Sequence, residues 1–440
     1  MPMPEKHDTH EKALSINLDV TIFGSFAEIG AGQEVSRWFL RVGGASGTVA
    51  KTISAYDKEV SDNLYGLGTR YVSKPRLQAM LDREWGQLLE QLGASRGADA
   101  KFFSFVDTLS ARNYAGTNDC HGWIGLRFLR EPNGVPQDVI LHVNLRDPSN
   151  VQQQEAVGIL GVNLIYAAHH ALGSAEEFLA SMFEHLGLDR LEIDCLEWRG
   201  PSFESWDRDE THALLVAGGY AEAVVFPAAG QPVPPNETLY KRALVLAPDS
   251  FASVDQLHPR LIEDTLAQLP EEDLAESKGG LGLFCLSIAR ARAEGSGGSL
   301  REIVRQAQNL KGFGYGVMIF RAQEIYTMSA FANRYTKLRI HFAIGLTVVV
   351  SVLEDRYKDL PGALLEGVAR LFTQNVRLIV YPMPAEEVER RVKAAGLTGW
   401  RWKQADGMVP ADTLNPSEPL GSLYQYLRGS GFILPGIPRN

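Results

Sequence analysis

Cysteine is scarce in this chain, and the three present, Cys120, Cys195 and Cys285, lie far apart, with no two at the spacing of a zinc knuckle or a redox pair. Reduced thiols and no metal site are the expectation. No apolar run reaches the ~20 residues that a membrane-spanning helix needs. The longest, Ile340 to Leu353, is interrupted by His341 and Gly345 and reads as a buried strand followed by a helix. The start of the chain lacks the basic residues and apolar stretch of a secretory signal, because Met1 to Lys12 is polar and partly acidic. A cytoplasmic protein follows as the expectation. Positive charge is not in excess either: 43 basic against 53 acidic residues leave a net charge of -10, so no global field draws nucleic acid or an anionic membrane. Neither is expected as a partner, and no tandem repeat is present.

What the sequence does contain is enough apolar residue, 45% of the chain, to bury more than one core, and its patterning divides into two styles. Residues 1–12 read as a flexible tail. Residues 13–275 read as a mixed α+β domain with a partly antiparallel sheet. There, alternation of Ile16, Leu18, Val20 and Ile22 predicts a strand, and Val35, Trp38, Phe39 and Val42 predict a helix stopped by Gly43-Gly44. An amphipathic helix over Leu77 to Leu92 is followed by three strand-like runs, Phe102 to Val106, Trp123 to Leu129 and Val139 to Leu145. The last two flank Glu131-Pro132-Asn133-Gly134, a turn that predicts an antiparallel hairpin. The next helix is capped at Ser149 or Asn150.

The acidic and glycine-bearing stretch Leu269 to Gly282 predicts the domain boundary, and residues 276–440 then alternate strand and helix, which predicts a mostly parallel sheet covered by helices. The fold class expected is therefore α/β. A Pro- and Gly-rich final segment carries Trp400, Trp402, Tyr424, Tyr426 and Phe432, too aromatic to stay in water.

Several motifs can carry chemistry. Glu28-Ile29-Gly30-Ala31-Gly32 stands between a strand and a helix, where glycines let a phosphate or nucleotide approach the backbone and free helix amides. It resembles the first motif of S-adenosylmethionine methyltransferases, but Gln33 and Glu34 replace a third glycine. The bland alternative is a tight turn that needs glycine dihedrals. Gly43 to Lys51 lacks the glycine that a phosphate loop places before its lysine, Ala50 standing there instead. Cys120 beside His121 offers a thiol and a base, although neighbours in a strand face opposite sides. His169-His170 read as favourable charge at a helix C-terminus. His142 and His341, inside apolar strands, read as hydrogen-bonded core residues. Arg290 and Arg292, after one C-terminal strand, and Arg321 and Glu324, after the next, fall where parallel sheets bind ligands, and the arginines suit an anion.

Two blocks, Phe23-Gly24-Ser25-Phe26-Ala27-Glu28-Ile29-Gly30-Ala31-Gly32-Gln33-Glu34-Val35 and Leu360-Pro361-Gly362-Ala363-Leu364-Leu365-Glu366 leading to Val380-Tyr381-Pro382, together with Gln152 to Tyr166, resemble a widespread bacterial family with no assigned activity. Its members carry labels such as nicotinate-nucleotide adenylyltransferase or TonB-dependent receptor. The first label implies a His-x-x-His pair after a glycine-phenylalanine turn, and no histidine lies between His10 and His121. The second implies a signal peptide and many short alternating strands, which this sequence lacks.

The expectation drawn from all this is a protein that binds a small anionic metabolite, phosphorylated or nucleotide-like, at the glycine turn. Gly30, Gly32, Gln33, Arg290 and Arg321 are the ligand-binding candidates. Glu28, Asp107, Cys120 and His121 are the catalytic candidates. No motif names a cofactor. The rival expectation is a noncatalytic, self-assembling scaffold whose aromatic tail forms subunit contacts, and a homo-oligomer is expected in either case.

Overall fold

The computed structural model describes residues 7–68, 70–249, 257–275, 277–293, 299–353, 357, 360–373 and 375–438. It is an α/β protein of two compact units, Met1–Glu222 and Ala223–Asn440. Among the described residues no helix is long and apolar enough to cross a membrane.

The first unit contains α1 (Thr9–Leu18), β1 (Ile22–Ile29), α2 (Gln33–Arg41), β2 (Val49–Ser54), α3 (Lys58–Tyr65), α4 (Lys74–Arg96), β3 (Lys101–Ser110), β4 (His121–Phe128), β5 (Gln137–Leu145), α5 (Asn150–His170), α6 (Ala175–Met182), β6 (Leu191–Arg199) and α7 (Arg208–Ala217). Its six strands run in the order β2-β1-β3-β4-β5-β6. The first three are parallel, and β3 to β6 form an antiparallel meander. The hairpin expected between β4 and β5 is present, with Asn133 in the left-handed conformation. Phe26, Phe103 and Phe105 face α2, where Phe26 packs on Phe39. The alternate residues Ala27, Ile29 and Val106 face α3 and α4. The β1-to-β2 and β2-to-β3 connections therefore pass over opposite faces, so the sheet has a topological switch point between the carboxyl ends of β1 and β3.

Two expectations for this N-terminal region are corrected. Thr9 to Leu18 is a helix, and it includes residues expected in the flexible tail. Asp8 and Glu11 form a reciprocal capping box at its start. Lys12 is fully buried, ion-paired to Glu184 at 2.7 Å and hydrogen-bonded to Asn163 at 3.0 Å. Of the alternating set that suggested a strand, Leu18 and Val20 are exposed, and only Ile22 lies in one.

The second unit contains β7 (Ala223–Phe226), β8 (Ala243–Asp249), β9 (Gly280–Ser287), β10 (Gly316–Phe320), β11 (Ile340–Gly345), β12 (Val376–Tyr381), the short ribbon β13 (Met383–Pro384) and β14 (Met408–Val409), and β15 (Ile433–Pro435). The main sheet runs β15-β12-β11-β8-β9-β10-β7. Every neighbouring pair is parallel except β10 with β7. The division between units lies at Glu222, well before the acidic stretch, because β7 and β8 are already strands of the second sheet. That stretch is instead an internal connection entering β9, tied down by Asp273 on Arg339 at 2.9 Å. The C-terminal aromatic segment packs on its own unit: Trp400, Tyr424, Leu427 and Ile433 join the core, and the Tyr424 hydroxyl donates to the Ala411 carbonyl at 2.7 Å. Each large apolar side chain so covered stabilises by roughly 1.5 to 3 kcal/mol. Tyr426 remains exposed.

Candidate functional site

The glycine turn lies where the sequence predicts it, at the carboxyl end of β1 and the start of α2. Gly30 has φ +104°, and a Cβ there would lie 1.9 Å from the Leu109 carbonyl oxygen. At Gly32 a Cβ would lie 1.7 Å from Asp107 Oδ2. Both glycines are thus required by the close approach of the turn to β3 of the same chain. Gln33 fastens the turn, its amide donating to the Gly30 carbonyl at 2.8 Å and the Ser54 hydroxyl at 3.1 Å.

Glu28 and Asp107 stand opposite each other in the β1–β3 register. Both are buried, and neither Asp107 oxygen has a hydrogen-bond partner among the described residues. Burial, aided by the neighbouring Glu28 charge, holds the Asp107 carboxyl well above its ordinary range. Burial also pushes Glu28 up to about 7, opposed by a hydrogen bond from Ser36. Below the turn lies a buried, tightly packed pair of carboxyl groups, with Asp107 filling the space beside Gly32.

Cys120 and His121 do not form a couple. The Cys120 thiol faces the Asn118 carbonyl at 3.6 Å, whereas His121 opens β4 and turns to β5, placing Nδ1 3.1 Å from His142 Nε2. His142 Nδ1 in turn lies 2.6 Å from Asp194 Oδ1, and Asn144 donates to Asp194 Oδ2 at 2.7 Å. His142 is thus the hydrogen-bonded core histidine expected. His341 is buried as expected, but its Nδ1 has no hydrogen-bond partner among the described residues, and burial pushes it down to about 4. His169 corrects the expected helix-end charge. It is wedged against Phe103 and Phe128, and burial lowers it to about 3, so it is neutral.

In the second unit, β9 and β10 are adjacent and parallel, with Ser287 level with Phe320. Arg290 and Arg321 therefore leave the same carboxyl edge. Arg321 is exposed. Arg290 is only 9% exposed, its backbone N–H is bound by the Ser287 hydroxyl at 3.1 Å, and no carboxylate pairs with its guanidinium among the described residues. Glu324 precedes the helix that follows β10 without a side-chain capping bond, and the Arg292 side chain lies outside what is described.

His142, Asn144 and Asp194 were missed as functional candidates by the sequence reading. The available signal was polar residues alternating with apolar ones in two neighbouring strands; their meeting depends on register.

No family model matches the chain, and no curated protein matches it. Among solved structures it is similar to the competence/damage-inducible protein CihA of Agrobacterium tumefaciens, with 20% identity over 37% of this chain and 95% of that one, TM-score 0.28. It is also similar to the competence damage-inducible protein A of Klebsiella pneumoniae, with 15% identity, 37% and 94% coverage, and TM-score 0.26. A CinA superfamily protein of Enterobacter cloacae gives 12% identity, 38% and 96% coverage, and TM-score 0.27. At this level of likeness nothing about fold or activity carries over.

Proposed function

We propose that the protein binds a phosphorylated, nucleotide-like small metabolite at the carboxyl edge of the second unit's sheet, with Arg290 receiving its anionic group. The observation that carries this is the nine-tenths burial of Arg290 without a carboxylate partner among the described residues. A guanidinium cannot shed its proton in a protein, and a buried unpaired charge costs several kcal/mol, so an anion at this position relieves a penalty already present.

The topology supports the reading. Taken in chain order from β8, the parallel strands lie as 3-2-1-4-5-6, the order in which open sheets bind nucleotides beside the first strand's carboxyl end. Arg290 leaves the strand next to that first strand, and the exposed Arg321 leaves the one after it. The Gly30 turn, closed beneath by Leu109 and Asp107, is the poorer place for the same ligand.

Inorganic phosphate and adenosine monophosphate are the probes, read by thermal unfolding and titration calorimetry. Wild type is expected to be stabilised by either probe, Arg290→Ala to lose the response while remaining folded, and Arg290→Lys to retain part of it, because a lysine keeps the charge without the planar fork. Equal responses in wild type and Arg290→Ala, or none in wild type, overturn the proposal. Native mass spectrometry of protein from its host reads the retained metabolite and the subunit count together.

A further inference from the structure

The first unit holds a hydrogen-bonded chain of side chains that needs no ligand in the second unit. Its inner end is Asp194, 1% exposed in β6. The β5–β6 register pairs His142 with Cys195 and Val143 with Ile193, so Asp194 is the extra residue of a β-bulge. Bulges re-aim side chains, and this one brings Asp194 onto His142 at 2.6 Å. Asn144 occupies the second carboxylate oxygen at 2.7 Å, which fixes the group's rotation. The Trp123 ring stands edge to face against His142 with centroids 4.9 Å apart.

The hydrogen bonds set the tautomers of two neutral rings: Asp194 accepts from His142 Nδ1, which leaves Nε2 of a neutral His142 bare. That nitrogen accepts from His121 Nδ1 at 3.1 Å, so His121 carries its proton on Nδ1 and presents a bare Nε2. Among the described residues no hydrogen bond reaches that Nε2, and His121 is only half-buried. It opens β4 opposite Ser110, the last residue of β3, beside Leu109, whose carbonyl touches the glycine turn. The bare nitrogen thus belongs to the carboxyl edge where this sheet has its switch point, a place where ligands bind in open sheets. Charged and titratable groups acting on His121 are His142, Asp194, Asp119 and Arg70, and burial lowers its affinity for protons so that it is neutral near pH 7.

We propose that His121 Nε2 is a general base that takes the proton of a hydroxyl group, from water or from a small polar substrate bound at the β1/β3 edge. In that step the O–H bond breaks and its electron pair stays on oxygen, which becomes the nucleophile. An N–H bond forms at Nε2, and the resulting imidazolium is stabilised through His142 by the Asp194 carboxylate. His142 and Asp194 are positioning residues. Such a base contributes about 10²- to 10⁴-fold to a rate.

The test combines imidazole nitrogen NMR with hydrolysis of p-nitrophenyl acetate as the probe ester. Expected are an Nδ1–H tautomer at His121 in wild type and a rate about 10²-fold above that of His121→Ala. The limb of the pH–rate profile should follow the His121 titration. Asp194→Asn, whose folding is checked by thermal unfolding, should shift both the titration and the limb. His142→Phe is the second variant, and it should leave His121 in mixed tautomers. An Nε2–H tautomer in wild type, or equal hydrolysis by wild type and His121→Ala, overturns the proposal. Loss of phosphate binding in Arg290→Ala leaves it untouched, so the two readings fail separately.

Discussion

Strands of the first sheet carry Glu28, Asp107, Arg127, Asp138, His142, Glu192 and Asp194 into the interior, whereas the second sheet buries Leu244, Leu246, Leu283, Met318, Phe342, Ile344, Leu378 and Val380. Apart from Glu28 and Asp107, which face each other across the parallel β1–β3 pair, the difference follows pairing style. Parallel strands covered on both faces read as continuous apolar runs. An antiparallel meander lets alternate positions of neighbouring strands meet as polar pairs, as in the fork of Arg127 on Asp138, at 2.6 and 2.9 Å. Reactive groups are thus more numerous in the strands of the first sheet, while the second buries Cys285, Ser287 and His341 in its strands and carries Arg290 at a strand-end connection.

That contrast is broken or sharpened most strongly at two glycines. Gly32→Val drives a branched side chain into Asp107 and should destabilise the first unit by at least about 3 kcal/mol, beyond ordinary overpacking. At Gly345 in β11 the nearest atom to an added Cβ is Met383 Sδ, 2.4 Å away on a flexible side chain, so Gly345→Val should cost the second unit nearer about 1 kcal/mol. Denaturant unfolding with limited proteolysis reads the two units separately. Equal losses would show that the glycine turn is not the stiffer of the two places.

Ion pairs should divide the same way. Lys12→Met breaks a pair whose lysine is fully buried and should cost about 3 kcal/mol, since Glu184 keeps some exposure. Arg339→Met removes a half-exposed partner of Asp273 and should cost about 1 kcal/mol. Chemical denaturation of both variants measures the gap.

The pH dependence should have opposite signs in variants of the two sheets. Glu28 is raised from its ordinary 4.5 to about 7, so its contribution is full below pH 4.5 and is lost as pH rises through about 7, on the order of 3 kcal/mol in all. Glu28→Gln should flatten that fall. His341 is depressed from 6.5 to about 4, so its contribution is present above pH 6.5 and is lost as pH falls through about 4. His341→Leu should flatten that one. Unfolding midpoints between pH 4 and 8 check both, and parallel pH profiles for a variant and wild type would count against the burial of that group.

The smallest effect concerns rates alone. Cys120 is partly exposed before β4, while Cys195 and Cys285 are buried in β6 and β9, and burial raises the Cys285 thiol. Thiol labelling of native protein should mark Cys120 first, without loss of stability.

Most elements were legible because each is a local statement: Ser149 caps a helix that the apolar period marks, and the strands of the second sheet announce themselves as apolar runs. The exception at Ile16 to Ile22 is instructive, because the apparent alternation spans two elements: Ile16 and Leu18 end α1, whose start is set by the capping box at Asp8 and Glu11, Val20 lies in the turn, and Ile22 opens β1. The sequence by itself determined the α/β class, the strand, glycine turn and helix order, and the parallel style of the C-terminal half, since these rest on periodicity and on glycine's dihedral freedom. Only the tertiary structure decided that β7 and β8 join the second sheet, that Asp107 rather than a ligand fills the space beside Gly32, and that a one-residue bulge sets Asp194 on His142. Those outcomes depend on strand order and register, which bring together residues dozens of positions apart and leave no periodic mark along the chain.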